Sequence, residues 1–282
     1  MNGEDSATAG RGAVEEVAPG LLRVRADNPG VMTLDGTNTW VLTGDGAGAV
    51  VIDPGPALAV HLDRVHGLLA ERGLGVELVL LTHGHDDHSE GAEQFARRAD
   101  APLRAWLSEW STGLPLAGQE EMQAAGLDLE VVHTPGHTSD SVSLAVGEWL
   151  FTGDTVLGRG TTVVAHPDGR LSEYLASLAL LRGRVAAGAT ILLPGHGPVV
   201  AEPAAWIDYY LGHRHDRLRA VAGVVGGRAS IAARDDDALD ELVADVVEVV
   251  YADVPRQLWP AAALSVRAQL LYLAEVPPAQ QP

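Results

Sequence analysis

A strand that runs straight into a cluster of ionisable side chains constrains this chain more than any other stretch. Val76–Leu81 is a mostly apolar run of strand length, and Thr82-His83-Gly84-His85-Asp86-Asp87-His88 follows it at once. Polar groups set at the end of a buried strand cost free energy unless they find partners. Shared ligation of metal ions supplies those partners. In extended backbone, residues i and i+2 point the same way, so His83 and His85 can share one ion. Asp87 and His88 come as the chain turns into a helix over Ser89–Arg98, and can aim at a second point a few ångströms away. Gly84 lets the backbone pass close to the ions.

Three further candidates sit at comparable places. His137 lies in His133-Thr134-Pro135-Gly136-His137-Thr138, after a strand over Leu129–Val132. Asp154 lies in Phe151-Thr152-Gly153-Asp154, after a hairpin over Ser143–Phe151 that turns at Gly147-Glu148. His196 lies in Leu193-Pro194-Gly195-His196-Gly197, after a strand over Thr190–Leu193. Each is a lone His or Asp on a turn at the end of an apolar run, and sheet edges are where such proteins gather their sites. A single His beside Gly is usually a loop residue; the first cluster raises the standing of the other three. Imidazole and carboxylate without thiolate suit zinc, with iron and manganese as competitors. The chain has no cysteine, which excludes thiolate ligands, disulfides and a cysteine nucleophile. Seven donors are too many for one tetrahedral ion, and fit two ions about 3.5–4 Å apart with one carboxylate between them.

Around these motifs, strands and helices alternate. Leu21–Arg25, Thr39–Thr43 and Ala49–Ile52 read as strands separated by turn residues. Helices fit Leu58–Arg72, with Leu58, Leu62, Val65 and Leu69 on one face, and Leu171–Leu181. Strands then cease. Trp206–Val221, a stripe from Leu239 to Val250, and Leu258–Ala274 read as helices, punctuated by Gly226-Gly227 and Val254-Pro255. The expected organisation is a leader without order over 1–12, a catalytic domain over 13–201 and a small helical module over 202–282, ending in a disordered Pro277–Pro282.

The formal charge of −19 works against nucleic-acid binding, which rests on phosphate neutralisation by Lys and Arg. Bound cations would offset part of this acidity. No stretch approaches the roughly 18 apolar residues of a membrane span. The first 20 residues lack the apolar centre of a signal peptide, so the cytoplasm is the expected location.

At these motifs the chain resembles the metallo-β-lactamase superfamily. Thr82–His88, Thr134–Thr138, Gly153-Asp154 and Gly195-His196-Gly197 match its pattern in order, across residues 20–200. The resemblance implies an α+β fold, a four-layer αββα sandwich of two sheets with helices outside. It implies His83, His85 and His137 on a first zinc ion, Asp87, His88 and His196 on a second, and Asp154 bridging them. Asp53, in Ile52-Asp53-Pro54-Gly55, matches a recurrent position that supports the histidine loop; a plain turn residue is an equal reading. Asn28-Pro29-Gly30, Gly36-Thr37-Asn38-Thr39 and Gly158-Arg159-Gly160-Thr161-Thr162 resemble the β-lactamase-like protein 2 branch, near glyoxalase II, which carries a C-terminal winged-helix-like module. Ala274–Pro282 offers no β-wing, which weakens a nucleic-acid role for that module. The missing cysteine ligand argues against antibiotic hydrolysis as the main task, and the tail shows no set of basic residues for glutathione.

The implied reaction is metal-assisted hydrolysis. A water between two zinc ions has its pKa lowered to about 7, and zinc stabilises the oxyanion that forms on attack. Asp87 is the candidate to orient that water and relay a proton to the leaving group. A thioester or other acyl ester, small or on an acyl carrier, is the leading substrate class. Rivals are phosphodiester or endoribonuclease activity, a mononuclear-iron persulfide dioxygenase, and a non-catalytic metal-binding protein. Arg159, Arg170 and Arg214 gathered beside the metals would favour phosphate. Substrate-binding residues stay unknown at this stage, and a homodimer stays open. His61 and His66 are expected to be solvated, His133 to support the ligand loop, His166 to lie near the mouth of the site, and His213 or His215 to line the pocket or face solvent.

Overall fold

The computed structural model describes residues 13–225 and 236–276. The expected leader, the Gly226-Gly227 break and the Pro277–Pro282 tail lie outside the described residues. Two sheets carry the fold. The first runs in order β1 (Val14–Ala18), β2 (Leu21–Arg25), β3 (Asn38–Leu42), β4 (Gly48–Ile52), β5 (Gly75–Leu80) and β6 (Leu103–Arg104). The second runs β11 (Ile191–Pro194), β10 (Trp149–Gly153), β9 (Val142–Val146), β8 (Leu127–His133) and β7 (Glu121–Ala124). Both are mixed: β4–β5, β5–β6 and β10–β11 pair parallel, the rest antiparallel.

Alternation along the strands sorts side chains into layers. Trp40 and Leu42 of β3, Val50 and Ile52 of β4, and Leu78 and Leu80 of β5 point at the second sheet, where they meet Val131, Leu144, Phe151 and Leu193. Trp40 and Phe151 meet edge to face across that interface at 5.8 Å. The intervening Val41, Val51 and Val79 point outward onto α1 (Ala59–Glu71) and α3 (Ala92–Ala99), through Leu62, Val65, Leu69 and Phe95. Leu150 and Leu192 of the second sheet point the other way, onto α4 (Leu171–Ala186) and the C-terminal helices. Helix, sheet, sheet, helix is the expected four-layer arrangement.

After β11 come α5 (Pro203–Val225), α6 (Asp236–Val250) and α7 (Trp259–Glu275). Leu239, Leu242, Val243, Val246 and Val247 of α6 bury the predicted stripe against Leu218 and Val221 of α5 and Val266 and Leu270 of α7. Among the described residues no strand follows β11, and no helix is long and apolar enough to cross a membrane.

One expectation about α1 is corrected. His61 is buried, 1% exposed, and not solvated, whereas Leu58 stands 40% exposed at the helix start. The buried face is His61, Leu62, Val65 and Leu69, turned slightly from the one the leucines suggest. His66 is half-buried and stacks on Phe95 at 4.2 Å.

Candidate metal centre

All seven candidate ligands converge at one end of the sandwich. β5 ends at Leu80, and the chain delivers His83 and His85 before the short α2 (Asp86–Ser89) carries Asp87 and His88. His137 follows β8, Asp154 follows β10 and His196 follows β11. Their donor atoms form three overlapping groups: His83, His85 and His137; Asp87, His88 and His196; and His83, His88 and Asp154.

The spacing suits a tetrahedral ion. With zinc–nitrogen bonds of about 2.0–2.1 Å, the edge of the donor tetrahedron is about 3.3 Å. His85 Nδ1 lies 3.1 Å from both His83 Nε2 and His137 Nε2. His196 Nε2 lies 3.3 Å from His88 Nε2 and 3.2 Å from Asp87 Oδ2. Asp154 stands between the groups, with Oδ2 3.2 Å from His196 Nε2 and 3.8 Å from His137 Nε2, and Oδ1 buried without a hydrogen-bond donor.

The outer nitrogens are held so that the inner ones carry lone pairs. His137 Nδ1 donates to the Val163 carbonyl at 2.8 Å, and His88 Nδ1 donates to Asp53 Oδ2 at 2.8 Å. A carbonyl or ionised carboxylate can only accept, so the proton sits on Nδ1 and Nε2 faces inward. Asp53 also accepts from the Thr82 amide at 2.8 Å and the Thr82 hydroxyl at 2.7 Å. It reaches this position from left-handed backbone, φ 50°, which Asp tolerates better than most residues. Support of the histidine loop is thus the reading the geometry favours over a plain turn.

Electrostatics also suit a cation. Burial pushes His83 well below the ordinary imidazole range, and pushes His137 down too, which keeps both in the neutral, ligating form. Burial opposes charge on Asp87 and Asp154. His196 and His88 outweigh it, holding Asp87 at about 2 and Asp154 well below the carboxylate range. His196 is disfavoured by burial as a cation but raised to about 10 by Asp154 and Asp87. Two ionised carboxylates in a buried ring of imidazoles form a site that attracts positive charge.

The segment Thr37-Asn38-Thr39 binds the parts together, a role the sequence did not reveal. Thr37 Oγ1 donates to Asp87 Oδ2 at 2.9 Å, and Asn28 fixes Thr37 through its amide at 2.9 Å and hydroxyl at 3.0 Å. Asn38 Nδ2 donates to the Pro194 and Gly197 carbonyls, both at 3.0 Å, on either side of His196. Thr39 Oγ1 donates to the Asp53 carbonyl at 2.7 Å. The only signal for these roles was the motif itself. Close approach requires one glycine and makes a second site tight. A Cβ on Gly195 would lie 2.4 Å from Asp154 Oδ1, and one on Gly84 would meet Trp110 Nε1 at 3.1 Å and Asp140 Oδ2 at 3.2 Å. Gly84 therefore accommodates protein neighbours on its outer side.

Other expected residues fall elsewhere. His133 stacks on Trp106 at 3.8 Å and donates to the Ser139 carbonyl at 3.2 Å, rather than touching a candidate ligand; it is the last residue of β8 and half-exposed on its sheet. His166 and Arg170 line a small separate cavity against Tyr272 and Glu275 of α7, away from the mouth. His215 is exposed and His213 half-buried beside Tyr209.

Comparison with known proteins agrees with this geometry. Residues 32–196 match the model of the metallo-beta-lactamase superfamily. This chain belongs to that superfamily. Within the metallo-beta-lactamases, a beta-lactamase-like protein 2 homolog from Drosophila melanogaster is 36% identical over 233 residues, 76% of this chain and 73% of that protein. An atrochrysone carboxyl ACP thioesterase from Aspergillus chevalieri is 32% identical over 216 residues, 73% of this chain and 65% of that protein. A metallo-beta-lactamase family protein from Thermus thermophilus superposes with a TM-score of 0.73 at 21% identity, over 92% of this chain and 95% of its own. Residues 243–275, which fall in α6 and α7, match the model of a beta-lactamase associated winged helix domain.

Proposed function

We propose that the chain is a two-zinc hydrolase of thioesters or related acyl esters. Three residues, His83, His85 and His137, would hold one ion. Asp87, His88 and His196 would hold the other, with Asp154 between them. The observation that carries the reading is this double set of donors at tetrahedral spacing beside an open pocket. Two zinc ions there would supply a polarised carbonyl and a water acidic enough to react near neutral pH.

The chain's own residues do the rest. Asp87 stays ionised, and Thr37 orients it, so its carboxylate can hold the attacking water and pass a proton to the departing thiol or alcohol. The pocket, about 130 Å3, is walled by Val31, Met32, Leu34, Leu157 and Val163. Such apolar walls suit an acyl chain.

The arginines count against a phosphodiester. Arg159 reaches the pocket but pairs with Asp35 at 3.1 Å, Arg170 lines the other cavity, and Arg214 is buried. The thioesterase name of the Aspergillus relative supports the same substrate class.

The test is a hydrolysis panel of acyl thioesters, lactones, β-lactams and single-stranded RNA, run with metal analysis of protein purified without added metal. Thioesters or lactones turned over fastest by protein holding two zinc ions is the expected result. Cleavage of RNA alone, or a single iron, overturns the reading. Asp87→Ala is expected to slow turnover about 10²–10⁴-fold; normal turnover with both ions bound would remove Asp87 from the mechanism.

A further inference from the structure

The C-terminal helices reach the candidate metal centre through one face of α5. Trp206, Tyr210 and Arg214 are spaced four residues apart, which aligns them along the helix. All three grip the backbone of the loop after Asp154. Trp206 Nε1 donates to the Leu157 carbonyl at 2.7 Å, and the Leu157 amide donates to Tyr210 Oη at 2.8 Å. Both polar groups of that residue's backbone are thereby taken by α5. Arg214 donates to the Thr162 carbonyl at 2.5 Å, while its guanidinium lies over the Tyr174 ring at 4.8 Å. Leu157, Thr162 and Val163 line the pocket, and the Val163 carbonyl is the acceptor that fixes the His137 imidazole.

We infer that the Trp206–Tyr210–Arg214 face is a clamp that positions His137 through the 157–163 loop. This rests on the two-zinc reading for its consequence, though not for its geometry. Arg214 is the informative member. It is 3% exposed, its Nε has no acceptor, and among the described residues it makes no ion pair with a carboxylate. A buried guanidinium without a counter-charge opposes folding. Its directed bond goes to the residue next to Val163. Releasing Thr162 frees the Val163 carbonyl, and His137 then loses the acceptor that keeps its proton on Nδ1. Among the described residues nothing comparable ties α5 to His88, whose Nδ1 is held by Asp53 from the first sheet. Arg214 therefore acts on the set His83, His85 and His137, whereas Trp206 and Tyr210 hold Leu157, whose neighbour Gly158 donates to the His196 carbonyl at 2.9 Å. The clamp also assigns the C-terminal helices a local task that needs no nucleic acid.

Arg214→Gln and Tyr210→Phe in the full chain test this. Nitrogen-15 NMR of the imidazoles in metal-free protein reads the tautomers. Wild type is expected to hold His137 as Nδ1–H and to keep a proton on His88 Nδ1. Arg214→Gln is expected to mix the His137 forms and leave His88 unchanged, which a general loosening of the fold would not do. Cobalt titration followed by its visible bands reads the consequence: one of the two ions bound about 10–100-fold more weakly, the other unaffected. Unchanged His137 tautomer in a folded variant overturns the clamp, as does equal weakening of both ions. Circular dichroism checks folding, and if Arg214→Gln fails it, Tyr210→Phe, which removes one hydroxyl from the same face, gives the His137 tautomer reading, and an unchanged tautomer there overturns the clamp. Wild type that takes up no cobalt sinks the two-zinc reading, while the tautomer still decides the clamp.

Discussion

His61 makes a quantitative prediction about acid stability. Its Nε2–H donates to Thr39 Oγ1 at 2.8 Å, and that hydroxyl in turn donates to the Asp53 carbonyl at 2.7 Å. Burial, aided by the nearby Arg64 charge and opposed by the Pro54 carbonyl, lowers its pKa to about 4. In the unfolded chain it titrates at about 6.5. As pH falls below that value the unfolded state takes the proton first, so stability is full above about 6.5 and is lost toward about 4. At about 1.4 kcal/mol per pH unit the whole loss is about 3 kcal/mol, of which about 2 kcal/mol has gone by pH ~5. His61→Gln keeps a donor near the Nε2 position and has no proton to gain. Urea unfolding of metal-free wild type and variant, at pH ~7.5 and pH ~5, isolates the term. Other buried imidazoles with lowered values, such as His213, cancel in the double difference. The variant is expected to lose about 2 kcal/mol less than wild type between the two conditions. Equal losses, within about 0.5 kcal/mol, would refute the argument.

Two substitutions at the metal centre extend the reasoning. Asp53→Ala strips three buried donors, on Thr82 and His88, of their acceptor; zinc affinity by competition with a chelator should fall about 10–100-fold, and metal-free protein should lose about 3 kcal/mol or more in urea. Gly195→Ala would press a methyl group to 2.4 Å from Asp154 Oδ1 and 2.6 Å from His88 Cε1; a folded protein with less than one zinc per chain is expected, and two full equivalents would contradict the packing.

The sequence made the layers legible wherever strands bury both faces. Each predicted strand from Leu21–Arg25 onward has a counterpart, and the hairpin turns at Gly147-Glu148 as expected, with Trp149 opposite Val146. The missed strands were the ones without such a signal. β1 is an exposed edge carrying Glu15 and Glu16, β6 is two residues long, and β7 alternates exposed Glu121 and Gln123 with half-buried neighbours. The seven candidate ligands were legible because strand ends and turn glycines mark them. Their supports were not. Thr37, Asn38 and Asn28 act through hydrogen bonds to residues up to 159 positions away, a distance no local pattern encodes. His61 was misplaced because hydrophobic periodicity passes over a polar side chain that is buried to make one bond. The Trp206–Tyr210–Arg214 face has helical spacing, but spacing alone does not say whether the face meets solvent, apolar core or a loop.

The division of the proposed ligands between the sheets has a consequence for how the protein would acquire its ions. The corner after β5 contributes His83, His85, Asp87 and His88, while His137, Asp154 and His196 belong to the second sheet. His196 follows His88 by 108 residues and reaches position only when β11 pairs in parallel with β10. Parallel pairing across a helical connection is a long-range contact, and such contacts form late. A chain emerging from the ribosome therefore carries its first four donors exposed long before their partners exist. Any cation caught by that corner during synthesis lacks a closed shell and can be exchanged. Which metal the proposed site holds would then be decided after the two halves dock, by the completed cage and the ions on hand at that time.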